Sequence, residues 1–249
     1  LFLYSDVMTL NANARSEPTR LQFAGFTSSN AAPSPDGKWL AMLHAHEDEF
    51  AYRNPEIVIA PADTNGNLAN TQNLTHATDR GTMGLVWSAD SQYVHFGVAD
   101  HGQINLHRAK IGSADIEKLT DGIHDLAAFD VAADGRIVAV VNGADETAKL
   151  IVREVNGQIR SLYQPNAKFV STYSVCPVEE INFKSGDLMI QGWIIKPPNF
   201  DPNQKYPLLV QMHGGPHVMW GPSAAGTWHE FQAMAHAGYV VFYCNPRGS

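Results

Sequence analysis

The chain has 249 residues, 44% hydrophobic and 17% charged, a balance that excludes disorder and supplies apolar matter for one large core or two smaller ones. A formal net charge of −8 with no basic run argues against a nucleic-acid partner. No apolar stretch approaches membrane-spanning length, and Leu1-Phe2-Leu3-Tyr4 carries neither the basic region nor the cleavage site of a signal peptide, so no membrane role is expected. The absence of an initiator methionine is read as a chain cut at both ends. Cys176 and Cys244 give no disulfide framework, which fits a reducing, cytoplasmic compartment better than a periplasmic one.

From Leu1 to about Pro165 short runs alternate with turns, and no helical period lasts ten residues. Leu1 to about Phe23 reads as the outer strands of a β-unit, with Thr19-Arg20-Leu21 as its last. A loose repeat follows. Its first copy has Ser34-Pro35-Asp36-Gly37, a strand from Trp39, a strand at Glu56–Ala60, and Leu74-Thr75. The second has Ser88-Ala89-Asp90-Ser91, strands from Tyr93 and from Ile104, and Leu119-Thr120. The third has Ala133-Asp134-Gly135, strands from Ile137 and from Leu150, and Ile159–Tyr163. The aspartates recur at intervals of 54 and 44 residues, which suits four-stranded propeller blades. Asp-Gly supplies the positive φ of a tight hairpin between the first two strands of each copy. The expectation is about three blades plus a remnant, too few to close a ring.

The repeat ends near Cys176, and Pro177 marks a junction, giving 1–175 as a partial β-propeller and 176–249 as a second, incomplete domain. There Val178–Phe183 and Leu188–Ile195 read as a hairpin about Ser185-Gly186-Asp187, followed by a proline-rich loop. Leu208–Met212 has the bulk of a buried parallel strand. His213-Gly214-Gly215-Pro216 breaks it, and Ala224–His236 carries Trp228, Phe231, Met234 and Ala235 at helical spacing. Gly238 stops that helix, and Tyr239–Tyr243 returns as a strand into Asn245-Pro246-Arg247-Gly248. Strand, glycine turn, helix and strand make a βαβ unit, whose ligands bind at the carboxyl ends of the strands.

Two glycines at such a strand end leave backbone N–H groups bare of side chains, able to hold a developing oxyanion. In an α/β-hydrolase the loop after the third strand supplies one such donor, and the chemistry then needs a serine on a Gly-x-Ser-x-Gly elbow. The sequence has no such elbow. His213 is read as shaping the turn, because the triad histidine of this fold comes last in chain order. His213 and His217 stand four apart, but Gly-Gly-Pro forbids the helix that would align them on a metal. His44-Ala45-His46 before Glu47-Asp48-Glu49 is read as an exposed inter-strand loop, and no metal or cofactor is expected. The sequon Asn73-Leu74-Thr75 coincides with the Leu-Thr repeat and is set aside. Ser249 lacks an elbow and is not assigned a nucleophilic role. Arg247 could meet a substrate carboxylate, with a tie to nearby protein carboxylates as the plainer role. Trp220 and Trp228 could line an apolar pocket, although core packing is at least equally expected of Trp228.

With both halves in view, the chain resembles the prolyl oligopeptidase family of serine peptidases, nearest its acylaminoacyl-peptidase and dipeptidyl-peptidase-5-like bacterial branch. The residues that carry this are Gln191-Gly192-Trp193, Lys196-Pro197-Pro198, Tyr206-Pro207-Leu208, His213-Gly214-Gly215-Pro216-His217 and Asn245-Pro246-Arg247-Gly248-Ser249. The resemblance implies a mostly β fold, a propeller capping an α/β-hydrolase domain, and short peptides or acyl-peptides as substrates. It implies that Gly215 donates its N–H to the oxyanion, with His213, Gly214, Pro216 and Arg247 near the substrate. The second donor and the Ser-His-Asp triad are then expected beyond Ser249, and the 249 residues alone are expected to be inactive. A homo-oligomer stays open. Two other classes remain: a carboxylesterase or lipase using the same turn, which the propeller repeat disfavours, and a non-catalytic propeller scaffold.

Overall fold

The structure, a computed structural model, describes residues 7–10, 17–21, 26–46, 53–62, 70–113, 115–122, 124–145, 148–215, 218–223 and 226–249. Strands dominate. The hairpin partners β1 (Val7–Thr9) and β2 (Thr19–Leu21) form the remnant. A first blade is β3 (Phe26–Pro33), β4 (Trp39–His46), β5 (Glu56–Pro61) and β6 (Gln72–Asn73), paired in chain order. A second is β7 (Gly81–Trp87), β8 (Tyr93–Asp100), β9 (Gln103–Lys110) and β10 (Ile116–Lys118). The third is β11 (His124–Val131), β12 (Ile137–Gly143), β13 (Lys149–Arg153) and β14 (Ile159–Tyr163). A parallel bridge, Asp125 to Ile104, stitches the second and third blades together. Three blades and a remnant form a partial propeller, with no closed ring among the described residues.

Turn chemistry explains why the repeat is visible. In the first blade the Ser34 hydroxyl donates to Asp36 Oδ1 at 2.7 Å and accepts from the Trp39 N–H, while Asp36 Oδ1 accepts from the Lys38 N–H. Ser88, Asp90, Gln92 and Tyr93 repeat every one of these bonds. Gly37 and Gly135 sit at φ of 72° and 85°, and Ser91 takes the same left-handed position at 59°. The Leu-Thr pairs have one job in two blades. The Leu74 and Leu119 N–H groups donate to the Ile57 and Leu106 carbonyls, and the next hydroxyls, of Thr75 and Thr120, accept from the Ile57 and Leu106 N–H groups. Thr75 is therefore buried, and the sequon belongs to the ladder. Blades are joined sideways by the Trp87 indole N–H on the Ala32 carbonyl at 2.8 Å and by the Asp36 N–H on Ser91 Oγ. One expectation fails here: His44–His46 are part of β4, and His44 is buried, because the strand runs on to pair with Glu56 before any loop begins. Residues 47–49 lie outside the described set.

A short helix, α1 (Ala167–Thr172), follows the third blade where no helix is expected from sequence; six residues are too few to show a period. The second sheet has β15 (Val178–Ser185), β16 (Leu188–Ile195), β17 (Leu208–Gln211) and β18 (Val240–Cys244), ordered β15-β16-β18-β17. β17 and β18 are parallel and joined through α2 (Trp228–His236), which completes the expected βαβ unit. α2 starts at Trp228 rather than Ala224; residues 224 and 225 are not described, and Gly226 and Thr227 form a turn ahead of the helix. It ends as expected, in a Schellman arrangement. Gly238, at φ of 95°, donates to the Ala235 carbonyl and Tyr239 to that of Met234. Phe231 and Ala235 pack onto Trp193, Ile195, Val241 and Tyr243. β17 differs from its expected burial: Leu208 is 61% and Val210 49% exposed, because the strand lies at the end of the order and only its Leu209 face meets this core.

Candidate active site

The Gly-Gly turn leaves the carboxyl end of β17. Gly215 sits at φ of 141°, a backbone region that an L side chain rarely adopts. Among the described residues nothing accepts a hydrogen bond from its N–H. His213 holds the turn from both sides. Its Nδ1–H donates to the Gly214 carbonyl at 2.8 Å, which leaves Nε2 to accept the Ser249 hydroxyl at 2.9 Å. A serine-to-histidine hydrogen bond is half of a hydrolytic relay. Here the other ring nitrogen meets a peptide carbonyl rather than a carboxylate; His213 is half-buried and Ser249 exposed. The pair joins the two strand-exit loops. Pro216 and His217 lie outside the described residues.

Behind the turn runs a chain of rings. His213 meets Trp220 edge-on at 5.3 Å, Trp220 meets Phe231 at 5.7 Å, and Phe231 meets Tyr243 at 4.9 Å. Tyr243 stacks on Trp193, its cross-strand partner, at 5.3 Å. Burial of Tyr243 pushes its phenol well above the ordinary value, so it stays neutral and serves packing. Asn245 clamps the other loop: its Oδ1 accepts from the Trp220 N–H at 2.8 Å and its Nδ2 donates to the Trp220 carbonyl at 2.9 Å. Arg247 points to the β15–β16 turn, donating to Asp187 Oδ1 at 3.1 Å and to the Ser185 carbonyl. Both charged ends are exposed, so the pair is worth less than about 1 kcal/mol. Trp228 is buried, and its indole N–H reaches the Ala144 carbonyl between β12 and β13.

The partial propeller closes over this end of the sheet with one hairpin tip. His101 and Gly102, both at positive φ, turn β8 into β9. Gln191 Nε2 donates to the His101 carbonyl, and Gly102 lies so near Trp193 that an added Cβ would be 2.6 Å from the ring. A Cβ on Gly221 would be 1.7 Å from the Gly102 carbonyl oxygen. Two glycines facing one another let the backbones touch, a contact that no local pattern in the sequence reveals. Beside it opens a cleft of about 640 Å³. Met83, Met189 and Met219 lie on its wall, Arg80 and Asp100 stand on the propeller side, and Arg247 and Ser249 are on the sheet side. Arg80 Nε donates to Asp100 Oδ1 at 2.6 Å, and this bond holds the Arg80 guanidinium above its ordinary pKa. No group of three or more metal-ligating side chains exists among the described residues. The structure thus brings His213, Gly214, Gly215 and Ser249 together, with Arg247 on the rim.

No family model matches the chain. It is 28% identical over 242 residues to "Dipeptidyl-peptidase 5" of Trichophyton schoenleinii, across 95% of this chain and 33% of that protein. It is 30% identical over 166 residues to "Uncharacterized peptidase YuxL" of Bacillus subtilis, across 66% of this chain and 25% of the relative. The structure of an acylaminoacyl peptidase in complex with Z-Gly-Gly-Phe-chloromethyl ketone superposes on 99% of the chain with a TM-score of 0.80, at 25% identity and over 36% of its own length. The chain spans at most about a third of the length of these curated relatives.

Proposed function

The chain belongs to the prolyl oligopeptidase family of serine peptidases, and from that premise we propose that it supplies the oxyanion-turn side of a serine peptidase acting on short peptides or acyl-peptides. Residues 1–175 would be the capping propeller portion and 176–249 the opening part of the hydrolase domain. The observation that carries this reading is Gly215. Its N–H, which meets no acceptor among the described residues, stands at the carboxyl end of β17, in a backbone geometry that glycine permits, on a turn fixed by His213. Such a donor stabilises the tetrahedral oxyanion of acyl transfer by roughly 3 kcal/mol. Gly214 and His213 shape the turn, and Arg247 borders the cleft that would admit the peptide. That a relative's structure holds a peptidyl chloromethyl ketone supports a peptide occupant.

No Gly-x-Ser-x-Gly occurs in the 249 residues, so these residues do not hold the elbow nucleophile. A fluorophosphonate probe followed by intact mass measurement tests this. The 249-residue chain should remain at 27.2 kDa without adduct. The native polypeptide that carries this sequence should take one adduct, on a serine outside it. Hydrolysis by the 249-residue chain that the probe abolishes would overturn the assignment of roles, and a native polypeptide that resists the probe would overturn the peptidase reading.

A further inference from the structure

Among the described residues Met219 carries the one thioether that takes a hydrogen bond: the Gly102 N–H donates to its Sδ at 3.2 Å. That bond ties the β8–β9 tip to the loop between β17 and α2, beside the close approaches of Gly102 to Trp193 and Gly221. Gly102, Ile104 and Met219 line both the cleft of about 640 Å³ and an adjoining cavity of about 170 Å³, so they form the partition between the two. Met219 is half-buried, and the two cavities give a small solute a path to its side chain. An oxygen added to the sulfur has no room on the Gly102 side. An N–H···O bond alone spans about 2.9 Å, and the sulfur–oxygen bond adds to that, against the 3.2 Å between Sδ and the Gly102 nitrogen. The other epimer turns the oxygen to a cavity but leaves a positively polarised sulfur facing the N–H dipole. Both epimers therefore lose the bond and put a polar group into an apolar contact.

We propose that Met219 is an oxidation site at which a peroxide, by making the sulfoxide, releases the β8–β9 tip and opens the partition between cavity and cleft. The sulfur gives an electron pair to one peroxide oxygen, the O–O bond breaks, and with hydrogen peroxide the other oxygen leaves as water. The sulfur is oxidised and the peroxide reduced, and a sulfoxide reductase reverses the change. Met212 and Met189, 82% and 60% exposed, meet the oxidant more freely, but neither holds the tip. The proposal stands apart from the peptidase reading, since it concerns the contact of the two portions and not the chemistry of the turn.

Graded treatment of the 249-residue chain with hydrogen peroxide tests this, with sulfoxides mapped by peptide mass spectrometry. Met219 should oxidise after Met212 and Met189 and well before the buried Met42. As its sulfoxide accumulates, the melting temperature should fall by about 4 °C, the shift expected for one or two lost hydrogen bonds in a chain of this size. Deuterium uptake by a peptide spanning Gly102 should rise in step. Methionine sulfoxide reductases acting on both epimers should restore both readouts, and this arm needs no variant. Met219→Leu, which nearly conserves volume, should abolish the peroxide-dependent fall, and Met189→Leu should keep it. Met219 resisting oxidation until Met42 reacts overturns the site. Its oxidation without a fall in melting or a rise in uptake at Gly102 overturns the release of the tip. A fall that persists in Met219→Leu, disappears in Met189→Leu or is not restored by the reductases overturns the role given to Met219.

Discussion

Replacing Gly221 by alanine puts a methyl group where the propeller's hairpin tip already sits. Its Cβ would lie 1.7 Å from the Gly102 carbonyl oxygen, 2.6 Å from its carbon and 3.1 Å from its Cα. All three are backbone atoms, so no rotamer change relieves the overlap. The β8–β9 tip must retreat by roughly 1.5 Å to restore ordinary carbon–oxygen contact, and gaps of 0.5–1 Å already forfeit a quarter to a half of a dispersion well. That retreat uncovers the Trp193 ring and weakens the bonds from Gln191 to His101 and from Gly102 to the Met219 sulfur. Overpacking of this kind costs about 1–3 kcal/mol, and rigid backbone puts this case at the upper end. For a chain of this size each kcal/mol lowers the melting temperature by about 2–4 °C, so thermal denaturation should show a drop of roughly 6–12 °C. Gly226→Ala is the control, because a Cβ there meets nothing within 4 Å. Melting of the two variants within about 1 °C of each other would refute the interlock.

Two further outcomes follow from buried polar groups. Gln232 donates from Nε2 to the Cys176 carbonyl at 3.0 Å and accepts the Cys176 N–H at 2.8 Å, all buried. Gln232→Leu strands both backbone groups and should cost about 2–5 kcal/mol in urea unfolding; a variant as stable as the parent would show that water or a shifted chain satisfies them. His95 is 3% exposed, its Nδ1 lacks a partner among the described residues, and burial depresses its pKa to about 4. The unfolded chain therefore binds the extra proton between pH 6.5 and 4. Stability should be full above pH 6.5 and fall by about 3 kcal/mol as pH drops to 4, and His95→Phe should flatten that slope in pH-resolved melting.

What the sequence reveals and what it hides divides along local and distant causes. Asp36, Asp90 and Asp134 announce the blades because each turn is closed by residues within five positions of it. Leu74-Thr75 and Leu119-Thr120 are legible for the same reason of repetition. The Gly-Gly turn at 214–215 stands out since few other roles require paired glycines at a strand end. The burial of His44 was hidden, since polarity suggested a loop while pairing with Glu56 extended the strand. The exposure of Leu208 was hidden too, because an apolar run does not state which of its faces a helix will cover. Gly102, Gly221 and Met219 gave no signal at all: their significance depends on surfaces brought together across a hundred positions or so.

The strand order of the second sheet has a consequence for how the chain is made. β16 pairs with β18, whose register joins Gly192 to Cys244. During synthesis from the amino terminus the β15–β16 hairpin is therefore complete while Trp193, Ile190 and Ile195 still lack the neighbours that bury them. Apolar surface left waiting in this way invites association between nascent chains. The β8–β9 tip is already available by then, since the blade that carries it precedes the hairpin in the chain. Gly102 can thus seat against the Trp193 ring before β18 exists, making the propeller portion an internal escort for the sheet it later caps.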